Sequence, residues 1–312
     1  MPKIAVIGSI ITDLAIQTSR VPMVGENLPA ESLQIGPGGK GANAAVAVAR
    51  AGAEAMLIGC IGDDEFGRME MAHLNQEGVD LSGVTIHPEA ATGAAIIMID
   101  VEGENTILVV NGANDHLSKD AVVNILNSHR NSLDGILVNF EIPETVVAAA
   151  VQAGVDFRIP VIVDAGPPRA YAPQTWANCT ILSPNALEAA TLAGHPVEDE
   201  TNVEFVAHEL LAAGPQAVVL KLGSRGAMIL SEEHEAILSA FPVDVVDTTG
   251  AGDAFSGTLS VAVADGLSLE EAVWRANAAG ALTVTRLGTM TVMPTRQEVD
   301  AFLAQQEKTW QR

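Results

Sequence analysis

Cysteine is nearly missing from this chain: Cys60 and Cys179 are the two in 312 residues. They lie far apart, and neither belongs to a C-x-x-C or a Cys/His cluster, so a disulfide framework and a zinc site both lack support and a reducing cytoplasm is expected. Basic residues are scarce too. Against 39 Asp and Glu stand 16 Lys and Arg, a net charge of −23, and the cations are scattered, which argues against a nucleic-acid surface. Any bound polyanion must then rely on backbone N–H groups, a few cations and metal ions. The seven histidines show no i, i+4 pairing of the kind metal sites on helices use. The first apolar run, Ile4 to Ile7, is too short for a signal peptide or a membrane span, so no membrane association is expected. There is no internal repeat, low-complexity tract or long charge run. The run from Gly36 to Gly41 is not a Walker loop, because Lys40 is followed by Gly41, and no G-x-G-x-x-G follows the first strand, which ends Gly8-Ser9-Ile10.

What is there is apolar and regularly spaced. With 48% hydrophobic residues, a chain of this length can bury roughly three quarters of its unfolded surface. Ile4 to Ile7, Met56 to Gly62, Gly135 to Phe140, Val161 to Asp164, Cys179 to Leu182 and Ala217 to Lys221 read as buried strands. Helices are expected over Ala44 to Ala51, after the lead-in Asp63 to Gly67 and ending near Gly78, and over Thr145 to Ala153, Asn185 to Leu192 and Val203 to Ala213. Strands alternating with helices at this spacing predict an α/β fold, a three-layer Rossmann-like parallel sheet flanked by helices. Val21 to Pro37, rich in Pro and Gly, suggests a hairpin or lid strand. Ala91 to Asp100 and Asn105 to Asn111 read as two strands joined by Val101-Glu102-Gly103-Glu104. The expectation is one domain over residues 1–312, with a small β-sheet lid from about 13–35 and 91–111. In parallel sheets ligands bind beyond the strand C-termini, where Asp13, Glu141, Asp164 and Lys221 fall.

The chain is organised around Asp247-Thr248-Thr249-Gly250-Ala251-Gly252-Asp253, which runs into the small, apolar, helically periodic segment Ala254 to Ala264. A tight turn feeding a buried helix leaves the N–H groups from Gly250 to Asp253 without intrahelical acceptors, at the end where the helix dipole favours an anion. A carboxylate at Asp253 repels a phosphate, and its presence there makes sense if a hydroxyl must lose its proton beside that phosphate. Read alone, these residues would equally be turn glycines and an ordinary first-turn acid.

This motif, with Gly38-Gly39-Lys40-Gly41-Ala42-Asn43 and Ser183-Pro184-Asn185-x-x-Glu188, resembles the ribokinase family of carbohydrate kinases, over nearly the whole chain and in the family's order. Asn111-Gly112-Ala113-Asn114 and Leu222 to Gly226 are similar to the family as well. The resemblance implies an ATP-dependent kinase that phosphorylates a primary hydroxyl of a pentose, with ribose or a close relative as substrate. Asp253 would be the catalytic base, and Gly250, Ala251 and Gly252 would donate N–H groups to the transferring phosphoryl. Asp13, Gly39, Lys40, Asn43, Glu141 and Asp253 match sugar-holding positions, as does Ile11 by position. Asn185, Lys221, Gly223, Ser224, Gly226, Gly252 and Asn277 match segments around ATP. Asn185 and Glu188 are associated with magnesium or another divalent cation. Asp247, with the backbone of Thr249, Thr283, Arg286 and Gly288, matches a potassium site. The family also implies a homodimer through the lid.

Each of these residues also has a plainer reading. Asp13 and Glu141 could serve turns or caps, Asn185 could cap its helix while Glu188 faces solvent, Gly223 and Gly226 could simply form a turn, and Asp247 could cap the turn that follows. The chain departs from the family at two places. Ile11 stands where an asparagine often touches the sugar, and Val292 where a serine often completes the cation site. The alternatives that stay open are a deoxyribose, nucleoside or other sugar kinase, and a non-catalytic sugar-binding regulator on the same fold.

Overall fold

The computed structural model describes residues 1–102, 104–195 and 200–310. Its thirteen strands are Lys3–Ile7 (β1), Ile11–Gln17 (β2), Ser32–Gly38 (β3), Glu54–Gly62 (β4), Asp80–His87 (β5), Gly93–Ile99 (β6), Asn105–Val110 (β7), Gly135–Asn139 (β8), Val161–Asp164 (β9), Ile181–Ser183 (β10), Ala217–Lys221 (β11), Ala227–Ser231 (β12) and Glu235–Leu238 (β13). The α-helices are Lys40–Arg50 (α1), Glu65–Gln76 (α2), Lys119–His129 (α3), Glu144–Phe157 (α4), Pro173–Trp176 (α5), Ala186–Ala193 (α6), Glu200–Ala212 (α7), Ala251–Ala264 (α8), Leu269–Thr283 (α9) and Arg296–Trp310 (α10).

Nine strands form the main sheet in the order β13-β12-β11-β10-β9-β8-β1-β4-β5. β5 through β11 run parallel across it, and β12 and β13 continue it antiparallel. From β1 the chain steps outward to β4 and β5, then returns to β8 on the other side. That reversal is a topological switch point, and it opens a crevice beyond the C-terminal ends of the strands. The core is two-layered because successive strand residues face opposite ways. Ile4 and Val6 pack with α1, α8 and α9, and Ala5 and Ile7 with α3 and α4.

Two features of the main sheet depart from the sequence reading. β5 was not expected, because Ser82 and Gly83 interrupt its apolar residues. β12 and β13 form a hairpin rather than another strand–helix unit, and the half-exposed pattern of β13 gave only a weak strand signal. The other expected strands and helices are present with ends shifted by a few residues.

A second sheet, in the order β3-β2-β6-β7, stands over the crevice end. β2 is central in it, antiparallel to β3 and parallel to β6. Residues 18–31 contain no strand, so the segment expected to be a hairpin or a lid strand contributes a single strand, β3, to the smaller sheet. The β6–β7 connection holds Gly103, the glycine of the expected turn, which lies outside the described residues. Both faces of β7 are open, and Ile107, Leu108, Val109 and Val110 are all exposed.

α1 and α8 cross at small residues. A Cβ added to Gly257 would lie 2.5 Å from the Cβ of Ala47, so glycine is what lets the two backbones approach this closely. The contact brings the N-termini of both helices to the same end of the crevice. Among the described residues, no helix is long and apolar enough to cross a membrane.

Candidate active site

The loop after β1 is built for close approach. Gly39 caps α1 with φ 90°, and a Cβ on it would fall 2.6 Å from the Ile11 nitrogen. One on Gly41 would fall 2.4 Å from the Gly8 carbonyl carbon. Only glycines let the start of α1 seat directly against the end of β1. Asn114 fixes the same loop from the side, accepting from the Ile10 N–H at 2.9 Å and donating to the Ile10 carbonyl at 2.8 Å.

That seating carries Lys40 and Asn43 to the first turn of α8. Asn43 Nδ2 donates to Asp253 Oδ2 at 2.9 Å, and Lys40 Nζ lies 3.4 Å from Asp253 Oδ1. Glu141, just past β8, is held by the Ser9 hydroxyl at 2.5 Å and the Lys40 backbone N–H at 3.1 Å, both to Oε2. Asp13 lies over the Gly38 backbone, where a Cβ would come within 2.4 Å of its Oδ2. Burial first, then the charges of Glu141 and Asp253, push the Asp13 carboxyl up to about 7. Burial likewise raises Asp253, against the pull of Lys40, and the acids around Lys40 hold its ammonium charged. Asp13, Glu141 and Asp253 thus lie near one another, with Lys40 against Asp253, a polar nest suited to a neutral ligand with several hydroxyl donors.

Ile11 is buried, with its side chain packed toward Gly93, where a Cβ would lie 3.0 Å from its Cγ1. Strand alternation puts it on the same face of β2 as Asp13.

Gly250 enters α8 with φ 77°, and no side chain caps the helix. The Ala251 N–H is partly engaged, reaching the Thr248 carbonyl at 3.4 Å, so the expected row of free N–H groups is not fully open. A cavity of about 650 Å³ spreads from this turn. Asn185, Lys221, Gly223, Ser224, Gly226, Gly252 and Asn277 all line it, together with Lys40, Glu188, Gly250, Ala251 and Asp253. One wall is apolar: Phe241, Pro242, Val243, Val245 and Val284. Sequence reasoning missed that wall, whose irregular Pro- and Val-containing run carries neither a helical nor a strand period. Ile11, Asp13, Gly39, Asn43 and Glu141 are not part of the cavity lining and connect to it through Asn43, Lys40 and Asp253.

Asn185 caps α6 in a reciprocal capping box. Glu188 N–H donates to Asn185 Oδ1 at 2.9 Å, and Asn185 N–H to Glu188 Oε2 at 2.7 Å. Glu188 is nonetheless buried rather than solvent-facing, and burial raises its carboxyl even though Lys221 lies 4.0 Å away. Asp164, noticed only as a strand end, is the central acid here. It accepts from Lys221 Nζ at 3.0 Å and from Ser256 Oγ at 2.6 Å. Burial opposes its charge, but Lys221 and Lys40 hold the carboxyl below its ordinary value. Asp164, Asn185 and Glu188 bring oxygen donors to the same side of the cavity as Lys221, the ligand type a hard divalent cation takes.

Behind the turn, Asp247 Oδ1 accepts from the Thr249 N–H at 2.9 Å and from its hydroxyl at 2.6 Å, and Oδ2 accepts from the Gly288 N–H at 3.1 Å. Burial works against the charge, yet these donors keep the carboxyl low. Both the turn-capping reading and the gathering of Asp247, Thr249 and Gly288 are therefore present. Thr283 is buried, with its hydroxyl on the Ala279 carbonyl at 2.8 Å and its own carbonyl accepting from Arg286 N–H at 3.2 Å. The Arg286 guanidinium pairs outward with Glu298 at 2.8 Å.

A buried carboxylate set between a dipole-bearing turn with a nucleotide-sized cavity and a nest of hydroxyl acceptors defines a phosphotransferase acting on an alcohol. Comparison with known proteins narrows the class. Residues 1–296 match the pfkB family carbohydrate kinase description, and the chain belongs to that family and is a sugar kinase. It is 36% identical to the ribokinase of Bacillus subtilis strain 168, covering 97% of this chain and 100% of the relative. Identity to the deoxyribokinase of Salmonella typhimurium is 30%, with 97% and 99% covered. The solved structure of Arabidopsis thaliana ribokinase complexed with ribose and ATP superimposes with a TM-score of 0.88 at 31% identity, covering 97% of this chain and 98% of that one.

Proposed function

We propose that this kinase transfers the γ-phosphoryl group of ATP to the primary hydroxyl of a pentose, D-ribose, giving ribose 5-phosphate. The observation that carries the reading is Asp253, which lines the nucleotide-sized cavity and is held by Asn43 and Lys40 beside Glu141 and Asp13. Asp13 and Glu141 accept hydroxyl hydrogens of the sugar, and Asn43 and Gly39 complete the polar wall. Asp253 takes the proton of the attacking hydroxyl, so that the oxygen attacks as an alkoxide in character. N–H groups of Gly250, Ala251 and Gly252 and the ammonium of Lys40 meet the charge that spreads over the transferring phosphoryl oxygens. The apolar wall at Phe241 to Val245 takes the base of the nucleotide, with Gly223, Ser224, Gly226 and Asn277 around it.

Glu188 and Asn185, with Asp164 behind Lys221, would hold a divalent cation, magnesium in the cell, which neutralises phosphate charge when bound. Asp247 and the carbonyls of Thr249, Thr283, Arg286 and Gly288 offer the hard oxygens a potassium ion needs, and Val292 offers none. The smaller sheet acts as the lid over the sugar, and the exposed apolar residues of β7 and β3 suit pairing of two copies into a homodimer. The two buried free cysteines fit a reducing cytoplasm.

A second reading, 2-deoxyribose, is favoured by Ile11. An apolar wall here desolvates a ring hydroxyl without replacing its hydrogen bonds, and a sugar lacking that hydroxyl escapes the penalty. The test of both is a coupled ADP-release assay across a panel of pentoses, other sugars and nucleosides. D-ribose or 2-deoxyribose should rank first by kcat/KM. A nucleoside or hexose in first place would overturn the proposal.

A further inference from the structure

Glu70 is a fully buried carboxyl outside the site described above. It sits on the inward face of α2 with Gly67 and Leu74, a position at i+3 and i+7 spacing where an apolar side chain would pack without cost. Its Oε1 accepts the Thr12 hydroxyl at 2.8 Å, while its buried Oε2 makes no hydrogen bond of normal geometry, with the Gly38 backbone N–H the nearby donor that favours its charged form. Such an orphan oxygen is costly, and a carboxyl retained at that cost asks for a function.

Thr12 supplies it. It is buried in β2, next to Asp13, and strand alternation turns neighbouring side chains to opposite faces. The hydroxyl of Thr12 therefore reaches back to α2 while Asp13 faces the other way, over Gly38 and toward Glu141 and Asp253. β2 is the central strand of the smaller sheet, paired with β3 on one side and β6 on the other. The N-terminus of α2 grips the same sheet at a second point: Asp64 accepts from the Thr92 N–H at 2.8 Å and from its hydroxyl at 2.7 Å, directly before β6. One helix thus fastens the roots of two adjacent strands, at β6 through its cap and at β2 through Glu70.

We infer that Glu70 is a positioning residue for sugar binding, holding the root of β2 through Thr12 so that the Asp13 carboxylate is presented to the sugar. The inference rests on reading Asp13 as a sugar-binding residue. Burial, opposed by the Thr12 hydrogen bond, reinforced by the Asp13 charge and opposed again by the Gly38 backbone N–H, pushes the Glu70 carboxyl up to about 8. It is therefore uncharged at neutral pH, which is how a carboxyl can occupy this core position at all.

The experiment measures KM for D-ribose, KM for ATP, kcat and melting temperature in Glu70→Val, Glu70→Gln, Thr12→Val, the Thr12→Val/Glu70→Val double variant and Asp13→Asn. Glu70→Val should raise the ribose KM about fivefold, the worth of one net hydrogen bond. Its ATP KM should stay unchanged; its melting temperature should fall because the buried Thr12 hydroxyl loses its acceptor, and the double variant, which removes both polar groups, should recover part of that fall. Glu70→Gln keeps an acceptor for Thr12 and should restore the ribose KM. Thr12→Val should match Glu70→Val, and the double variant should be no worse than either single change. An unchanged ribose KM in Glu70→Val alongside a raised one in Asp13→Asn overturns the role of Glu70 and leaves the site reading intact. So does an equal rise in both KM values, or additive effects in the double variant. An unchanged ribose KM in Asp13→Asn overturns the site reading, and this inference with it.

Discussion

Replacing Asp253 by asparagine separates the base from its surroundings, because the pocket is able to accept the amide. Asp253 now receives Asn43 Nδ2 at 2.9 Å on one oxygen and faces Lys40 Nζ at 3.4 Å on the other. The new carbonyl can keep facing Lys40. The new NH2 group then needs an acceptor where Asn43 currently donates, and the buried Oδ1 of Asn43, which has no partner as the protein stands, becomes that acceptor once the Asn43 amide turns over. Shape and hydrogen bonding survive while proton affinity is lost. Asp253→Asn is therefore expected to bind ribose and ATP within a few-fold of the parent by calorimetry. Its kcat should fall ~10²–10⁴-fold, the usual worth of a general base, equivalent to roughly 3–5 kcal/mol on the barrier. The assay is ADP release at saturating substrates, with single-turnover traces to show that the chemical step has slowed. Turnover within a few-fold of the parent would refute the assignment of the base.

The remaining expectations concern the sugar site and the cations. In the proposed function Asp13 accepts hydroxyl hydrogens as a carboxylate, and burial with the charges of Glu141 and Asp253 pushes that carboxyl up to about 7. As pH falls through that value the group is protonated, so kcat/KM for ribose should fall below pH 7 while the ATP KM holds, and Asp13→Asn should displace that acid limb, leaving the one set by Asp253; a profile identical in both proteins would count against it. Ile11→Asn should shift the ratio of kcat/KM values toward ribose over 2-deoxyribose by about 5- to 100-fold, the span of an unsatisfied buried polar group, and an unchanged ratio would mean that Ile11 does not face the sugar. Replacing sodium by potassium at fixed ionic strength should raise activity modestly, and Val292→Ser should enlarge the effect. Equal rates in both salts would contradict the cation reading of Asp247.

Much of this arrangement is legible in the sequence because the informative residues are punctuation. Gly39 and Gly41 are forced by backbone approach within 3 Å, and strand C-termini are marked by a change from apolar to polar residues at Ser9, Glu141, Asp164 and Lys221. What escapes is whatever depends on partners distant in the chain. Nothing local reveals that Asp164 receives Ser256 from 92 residues away, or that Glu70 answers Thr12 across 58. On a helical wheel Glu70 looks like an ordinary polar break in an apolar stripe. β13 escapes for the opposite reason: its alternating exposure is real but only four residues long.

The seam between α1 and α8 at Ala47 and Gly257 has a kinetic meaning. Lys40 and Asn43 are carried by one of these helices and Asp253 by the other, so the relative placement of base, cation and amide is decided by a backbone contact with no side chain to flex. Asp13 is carried by the smaller sheet instead, outside that trio. The geometry of the trio is then standing equipment, and if the smaller sheet closes over the sugar, as the proposed function has it, closure would govern substrate arrival rather than assembly of the trio. A bulkier residue at 257 would push both helices apart and turn that fixed distance into a variable one, with every turnover waiting for the helices to find it again.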